Sequence, residues 1–92
     1  MAVKVFIPTL LRNLTANDSE VEVEAADIDA MLAALDEKYP GFKNRLCDDR
    51  GKLRLFVNVF LNDEDIRLID AQATKISDGD EVSIVAAIGG GC

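Results

Sequence analysis

The chain has 92 residues, a formal net charge of −7 and a pI near 4.4. That length supports one domain with a modest core rather than a large catalytic cleft, and the acidity argues against nucleic acid and anionic membrane surfaces while favouring a partner with a basic docking surface. With no histidine the commonest general base at neutral pH is missing, and two cysteines, Cys47 and Cys92, are too few for a disulfide framework or for a zinc or iron–sulfur site in one chain.

Val3, Val5 and Ile7 alternate with Lys4 and Phe6, which predicts a strand with its odd residues inward. Pro8 ends the pairing because it has no N–H to donate, and Leu10 and Leu11 are expected to fold back onto the core. After a polar, turn-like stretch over 13–19, Val21 and Val23 alternate with Glu20, Glu22 and Glu24. This is a second strand with a charged outer face, and it completes an antiparallel hairpin. Asp27 is placed to cap a helix, and Asp29 adds favourable charge at its positive end. Ile28, Met31, Leu32, Leu35 and Tyr39 form one apolar stripe, read as core, and Pro40-Gly41 stops the helix. Phe42 and Leu46 anchor a short helical turn, and Cys47 reads as a small buried hydrophobe.

A turn over 48–51 leads into a strand with Leu53, Leu55, Val57, Val59 and Leu61 inward. Residues 62–65 read as a polar turn, 66–69 as a short strand, and 71–77 as a loop anchored by Ile76. Asp78-Gly79-Asp80 is a tight-turn signal before the last strand, in which Val82, Ile84 and Ala86 point inward. Hairpin, crossing helix and further strands together predict an α+β domain over 1–88, a mixed sheet of about five strands with one main helix on one face. Central, parallel first and last strands would send residues 89–92 out from one end of the sheet as a flexible glycine tail.

Phe6, Phe56, Phe60 and Val85 fall on parities opposite the core set, which predicts an apolar patch on the open sheet face and hence a partner-docking surface. Nucleophilic catalysis has little support, because Cys92 has no histidine to activate it. Nothing gathers two carboxylates in one apolar pocket, the run over 62–65 lacks the spacing of a calcium loop, and no glycine-rich phosphate cradle is present. The tail, Gly89-Gly90-Gly91-Cys92, cannot pack a core, but glycines alone can thread a narrow channel in a partner. The N-terminal Met1-Ala2-Val3-Lys4 has no export-signal character and no apolar run approaches a membrane span, so a cytoplasmic location is expected.

These residues resemble the ThiS/MoaD sulfur-carrier family of ubiquitin-like β-grasp proteins. The likeness rests on Asp78-Gly79-Asp80-Glu81-Val82 and on the interval from that turn to Gly90-Gly91. The stretches 7–12 (Ile-Pro-Thr-Leu-Leu-Arg) and 56–67 look close to the cysteine-biosynthesis branch, CysO. The resemblance implies a protein cosubstrate, not an enzyme, with no bound cofactor. A ubiquitin-activating-type adenylating enzyme would use ATP to activate the terminal glycine, here Gly91 with Gly90 beside it. Sulfide or a persulfide would then displace AMP, leaving a thiocarboxylate for a sulfur-accepting biosynthetic enzyme, cysteine-synthase-like or one serving a molybdopterin, thiazole or thio-metabolite. It also places Val85 at a docking position. Cys92 departs from the pattern, and a zinc-dependent JAMM-type metallopeptidase is the expected agent of its removal. A Cys92 persulfide, or Cys92 as an inert extra residue, stands beside that expectation. The alternatives to a carrier are a ubiquitin-like modifier joined through Gly91 to lysines and a plain binding module.

Overall fold

The structure, a computed structural model, describes residues 2–54 and 57–86. Five strands are described: β1 (Ala2–Phe6), β2 (Glu20–Glu24), β3 (Val57–Leu61), β4 (Glu64–Asp65) and β5 (Glu81–Ala86). They form one sheet in the order β2-β1-β5-β3-β4. β1 pairs antiparallel with β2 and parallel with β5, while β3 runs antiparallel to both β5 and β4. The fold is thus the mixed five-stranded sheet with one main helix that the sequence predicts, and the first and last strands are central and parallel.

Helix α1 (Ile28–Lys38) buries Ile28, Met31, Leu32 and Leu35 against the sheet side formed by Val3, Val5, Val21, Val23, Val57, Val59, Val82 and Ile84. The Asp27 carboxylate accepts the Ala30 N–H at 2.7 Å, which satisfies one of the donors that a helix start leaves open. The helix ends at Lys38, so Tyr39 continues the apolar stripe only as a half-buried cap residue. The Asp36 carboxylate then accepts the N–H groups of Gly41 and Lys43, both at 3.1 Å, and so fastens α1 to the short α2 (Phe42–Leu46). Gly41 sits at φ +93°, a conformation that favours glycine. Phe42 and Leu46 are fully buried, Cys47 is buried beside them, and Leu11 and Ile76 anchor their loops as expected. The side chain of Leu10 lies outside the description.

Four expectations need correction. Residues 66–69 are not a strand: Ile66–Leu68 is a 3₁₀ turn, capped by the Asp65 carboxylate that accepts the Arg67 N–H at 2.9 Å. The strand of this region is β4, which takes two residues from the predicted turn, and Asn62 and Asp63 alone make the tight reversal, both at positive φ. Leu53 is not part of the described strand β3, and Leu55, expected inward, lies outside the described residues. Leu53 instead bridges Cys47, and Arg54 donates its N–H to Leu46, so this stretch is occupied with the end of α2. Ala86, expected inward, is only half-buried. A 3₁₀ turn at Thr9–Leu14, begun at Pro8, is an element that period-two and helical patterns did not reveal.

Asp78-Gly79-Asp80 is a clip as well as a turn. The Asp78 carboxylate accepts the Ala2 N–H at 2.8 Å, and the Ala2 carbonyl accepts the Gly79 N–H at 2.9 Å. The Asp80 carboxylate accepts the Ser77 N–H at 2.8 Å and the Asn62 side-chain amide at 3.1 Å. Asn62 in turn accepts the Glu81 N–H through its own side-chain oxygen at 3.0 Å. Three chain segments distant in sequence are thereby aligned at the start of β5. Replacing Asp80 with Ala removes both carboxylate contacts and is expected to cost about 1–2 kcal/mol. A lower urea midpoint with an unchanged slope would verify this, and an unchanged midpoint would show the clip to be dispensable.

Candidate functional site

The site expected on the open sheet face can be built from the strand register. Phe6 pairs with Ser83 across the parallel ladder, and Ser83 pairs with Phe60 across the antiparallel one. Cross-strand partners share a face, so Phe6, Ser83 and Phe60 form a row on the side away from α1. Val85, two residues beyond Ser83 on β5, lies on the same face with Asn58 opposite it. Phe6 and Phe60 are half-buried, and Val85 is 45% exposed. A small serine between two phenylalanines leaves a step in the surface rather than a flat plane. Glu20, paired with Phe6, and Asp65, paired with Phe60, bound the row at its two ends. Below it Lys4 pairs with Glu81 and reaches the Glu20 carboxylate at 3.6 Å, an exposed contact of small energetic value.

Three of the four docking residues read from the sequence are therefore brought together. The fourth, Phe56, lies outside the described residues, as do Gly89, Gly90, Gly91 and Cys92. Ser83 was not singled out in the sequence, although its place between two aromatic strands follows once the register is known.

Both central neighbours of β5 carry an arginine that occupies a carbonyl where the flanking strand stops. Arg67 donates through Nη2 to the Val57 carbonyl at 2.8 Å, at the level of Ala86, where β4 no longer covers β3. Arg12 donates through Nε to the Ile7 carbonyl at 3.1 Å, just past β1. Each guanidinium supplies a donor to a main-chain acceptor. The turn held by Arg67 also exposes Leu68, at 79%, a further apolar feature that sequence parity missed.

Among the described residues no group of three or more His, Cys, Asp or Glu side chains could hold a metal ion, and no helix is long and apolar enough to cross a membrane. The Asp48 carboxyl is held below the usual range by the N–H groups of Lys52 and Arg50, but it serves its own turn. Cys47 is a buried thiol whose ionisation is pushed up, first by burial, with Lys43 opposing.

The model of the ThiS family matches residues 5–91. The sulfur carrier protein CysO of Mycobacterium tuberculosis is 42% identical, with 99% of this chain and 100% of that protein covered. The crystal structure of the BexX/CysO complex of Amycolatopsis orientalis superposes with a TM-score of 0.89 at 36% identity, over 97% of this chain and 99% of that one. Small archaeal modifier protein 3 of Haloferax volcanii is 35% identical over 72% of this chain and 71% of its own.

Because burial raises the Cys47 pKa in the folded state, the unfolded chain loses that proton at lower pH. Stability is expected to fall as pH rises past about 8.5, the ordinary thiol value. Urea midpoints taken from pH 7 upward should show this decline in the parent and a shallower one in Cys47→Ala; equal slopes would refute it.

Proposed function

The chain belongs to the ThiS family, and from that premise we propose that it is a sulfur carrier whose Gly91 carboxylate, once Cys92 has been removed, is converted to a thiocarboxylate. The chain is then a protein cosubstrate rather than an enzyme, working beside soluble cytoplasmic partners. A ubiquitin-activating-type enzyme supplies the chemistry with ATP. The carboxylate oxygen attacks the α-phosphorus, pyrophosphate leaves, and an acyl adenylate forms. Sulfide sulfur then attacks the glycyl carbonyl and AMP leaves, giving the thiocarboxylate directly; where an enzyme persulfide attacks instead, the product is an acyl disulfide, and a second enzyme thiol must cleave its S–S bond, forming an enzyme disulfide and releasing the thiocarboxylate. A carboxylate is a poor electrophile until its oxygen becomes a good leaving group, which is why adenylation must come first. The thiocarboxylate passes its sulfur to a biosynthetic enzyme. Kinship with CysO favours a cysteine-synthase-like acceptor.

The observation that carries this reading is the placement of β5. It is the central strand, it contributes Ser83 and Val85 to the open apolar face, and in the sequence only Ala87 and Ile88 stand between its last residue, Ala86, and Gly89. A partner that seats on Phe6, Phe60 and Val85 therefore holds the strand that leads to the tail. Docking fixes the origin and direction of the reacting segment, and the glycines cover the remaining distance. Because Gly91 carries a peptide bond to Cys92, activation needs prior hydrolysis, which we assign to a JAMM-type metallopeptidase. Similarity to an archaeal modifier protein supports a second reading, in which the same adenylate ends as an isopeptide on a lysine.

Intact mass after incubation with ATP, sulfide, the adenylating enzyme and the peptidase tests the proposal. Loss of one cysteine residue followed by exchange of one oxygen for sulfur is the expected result. Sulfur gained with Cys92 retained, in a parallel incubation where a low-molecular-weight persulfide replaces sulfide and passes its outer sulfur to the thiol, would indicate a Cys92 persulfide instead, and an unchanged mass with partners active on another carrier would overturn the proposal.

Val85→Asp places a charge in the docking face at an exposed position. It should raise KM for adenylation about tenfold or more with kcat little changed, while stability moves by less than about 1 kcal/mol. An unaltered KM would remove Val85 from the docking surface.

A further inference from the structure

The sheet ends at β2 on one side, and the register fixes which of its main-chain groups face outward. Lys4 donates its N–H to Asp80 on the β5 side, whereas Ile7 donates to Ser19 on the β2 side. The alternation of an antiparallel pair then turns Val21 and Val23 toward β1, and Glu20 and Glu22 present their N–H and C=O groups to the open edge. Beside that edge runs a groove of about 460 Å³ between β2 and α1, lined by Glu22, Val23, Glu24, Ala34, Glu37 and Lys38. Its floor is apolar at Val23 and Ala34 and Glu37 and Lys38 bound it on the helix side, while the Glu22 and Glu24 side chains, alternating with Val23, turn to the open face.

We propose that this edge receives an extended, lysine- or arginine-bearing segment of a partner protein, added to β2 as a sixth, antiparallel strand. Every other residue of such a segment would exchange hydrogen bonds with Glu20 and Glu22, and antiparallel pairing is the more stable arrangement per residue. Residues directly opposite share a face, so a basic side chain across from Glu20 or Glu22 meets a carboxylate on the open side. The intervening residues point to the other side, over Val23 and Ala34, where small apolar groups fit. The same charges exclude a second copy of this chain, because edge-to-edge pairing of two β2 strands would set glutamates against glutamates. The acidity that blunts the edge toward itself selects a partner of opposite sign. This surface lies at the rim of the sheet, away from the central Ser83 and Val85, so its occupancy is independent of the carrier reading.

The test is an amide-shift titration of the ¹⁵N-labelled full chain with a capped heptapeptide of alternating lysine and valine, at low salt. Shifts are expected at Glu20 and Glu22 and along 34–38. N-methylation of the lysine amides, which face the edge, should weaken binding about tenfold or more, while methylation of the outward valine amides leaves it intact. Glu20→Gln/Glu22→Gln should weaken the parent peptide with core shifts unchanged. Equal binding of both methylated peptides, shifts centred on Phe6, Phe60 and Val85, concentration-dependent shifts at 20–24 without peptide, or no shifts at all would each overturn the proposal.

Discussion

Pairing the first strand with the last in parallel requires a crossover somewhere between them, and here α1 lies on it, between β2 and β3 at opposite sides of the central pair. A parallel connection cannot be closed by a tight turn, so the chain must leave the sheet, cover one face with α1, and return. The helix is therefore on one side only, and the other side stays open. That openness is what allows Phe6, Ser83, Phe60 and Val85 to exist as a surface rather than as core. The Asp78–Asp80 clip secures the arrangement where β1 and β5 begin, while Arg67 and Arg12 tend carbonyls at the opposite end. Structure-forming contacts thus gather at both ends of the central strands, and the apolar row lies between them.

Much of this was legible because strand parity is a strict signal. Val3, Val5, Val57, Val59, Val82 and Ile84 alternate without exception, so a residue of opposite parity had to face away from the helix. The α1 stripe was equally plain, since four fully buried residues recur at helical spacing. What failed were segments too short for a period to declare itself. Ile66–Leu68 carries the same alternation as a strand, but it is held in a 3₁₀ turn by the Asp65 cap and by Arg67 reaching Val57, contacts that no local pattern contains. Pairing of Asn62 with Glu81 and Asp80 likewise joins residues far apart in sequence. The apolar row was half visible: parity put Phe6, Phe60, Ser83 and Val85 on the face away from the helix, whereas the place of Ser83 between the two phenylalanines emerges only from the register.

Charge and fold divide the labour of recognition. The net charge of −7 is not spread evenly over function. Glutamates occupy the exposed side of β2, acidic residues at Asp78 and Asp80 are engaged by main-chain N–H groups, and the apolar row between Glu20 and Asp65 has few charges of its own. Like charges along an exposed edge keep copies apart, and carboxylates at the ends of an apolar row set the orientation in which a partner can meet it.

The position of β5 also determines how the domain responds to force. A pull on the glycines, directed along β5, loads its hydrogen bonds to β1 and to β3 together, in shear, because the strand is gripped on both sides. The same pull on β2 or β4 would peel an edge, opening bonds one after another. A sheet gripped through its central strand thus offers more resistance to traction along that strand than along either edge.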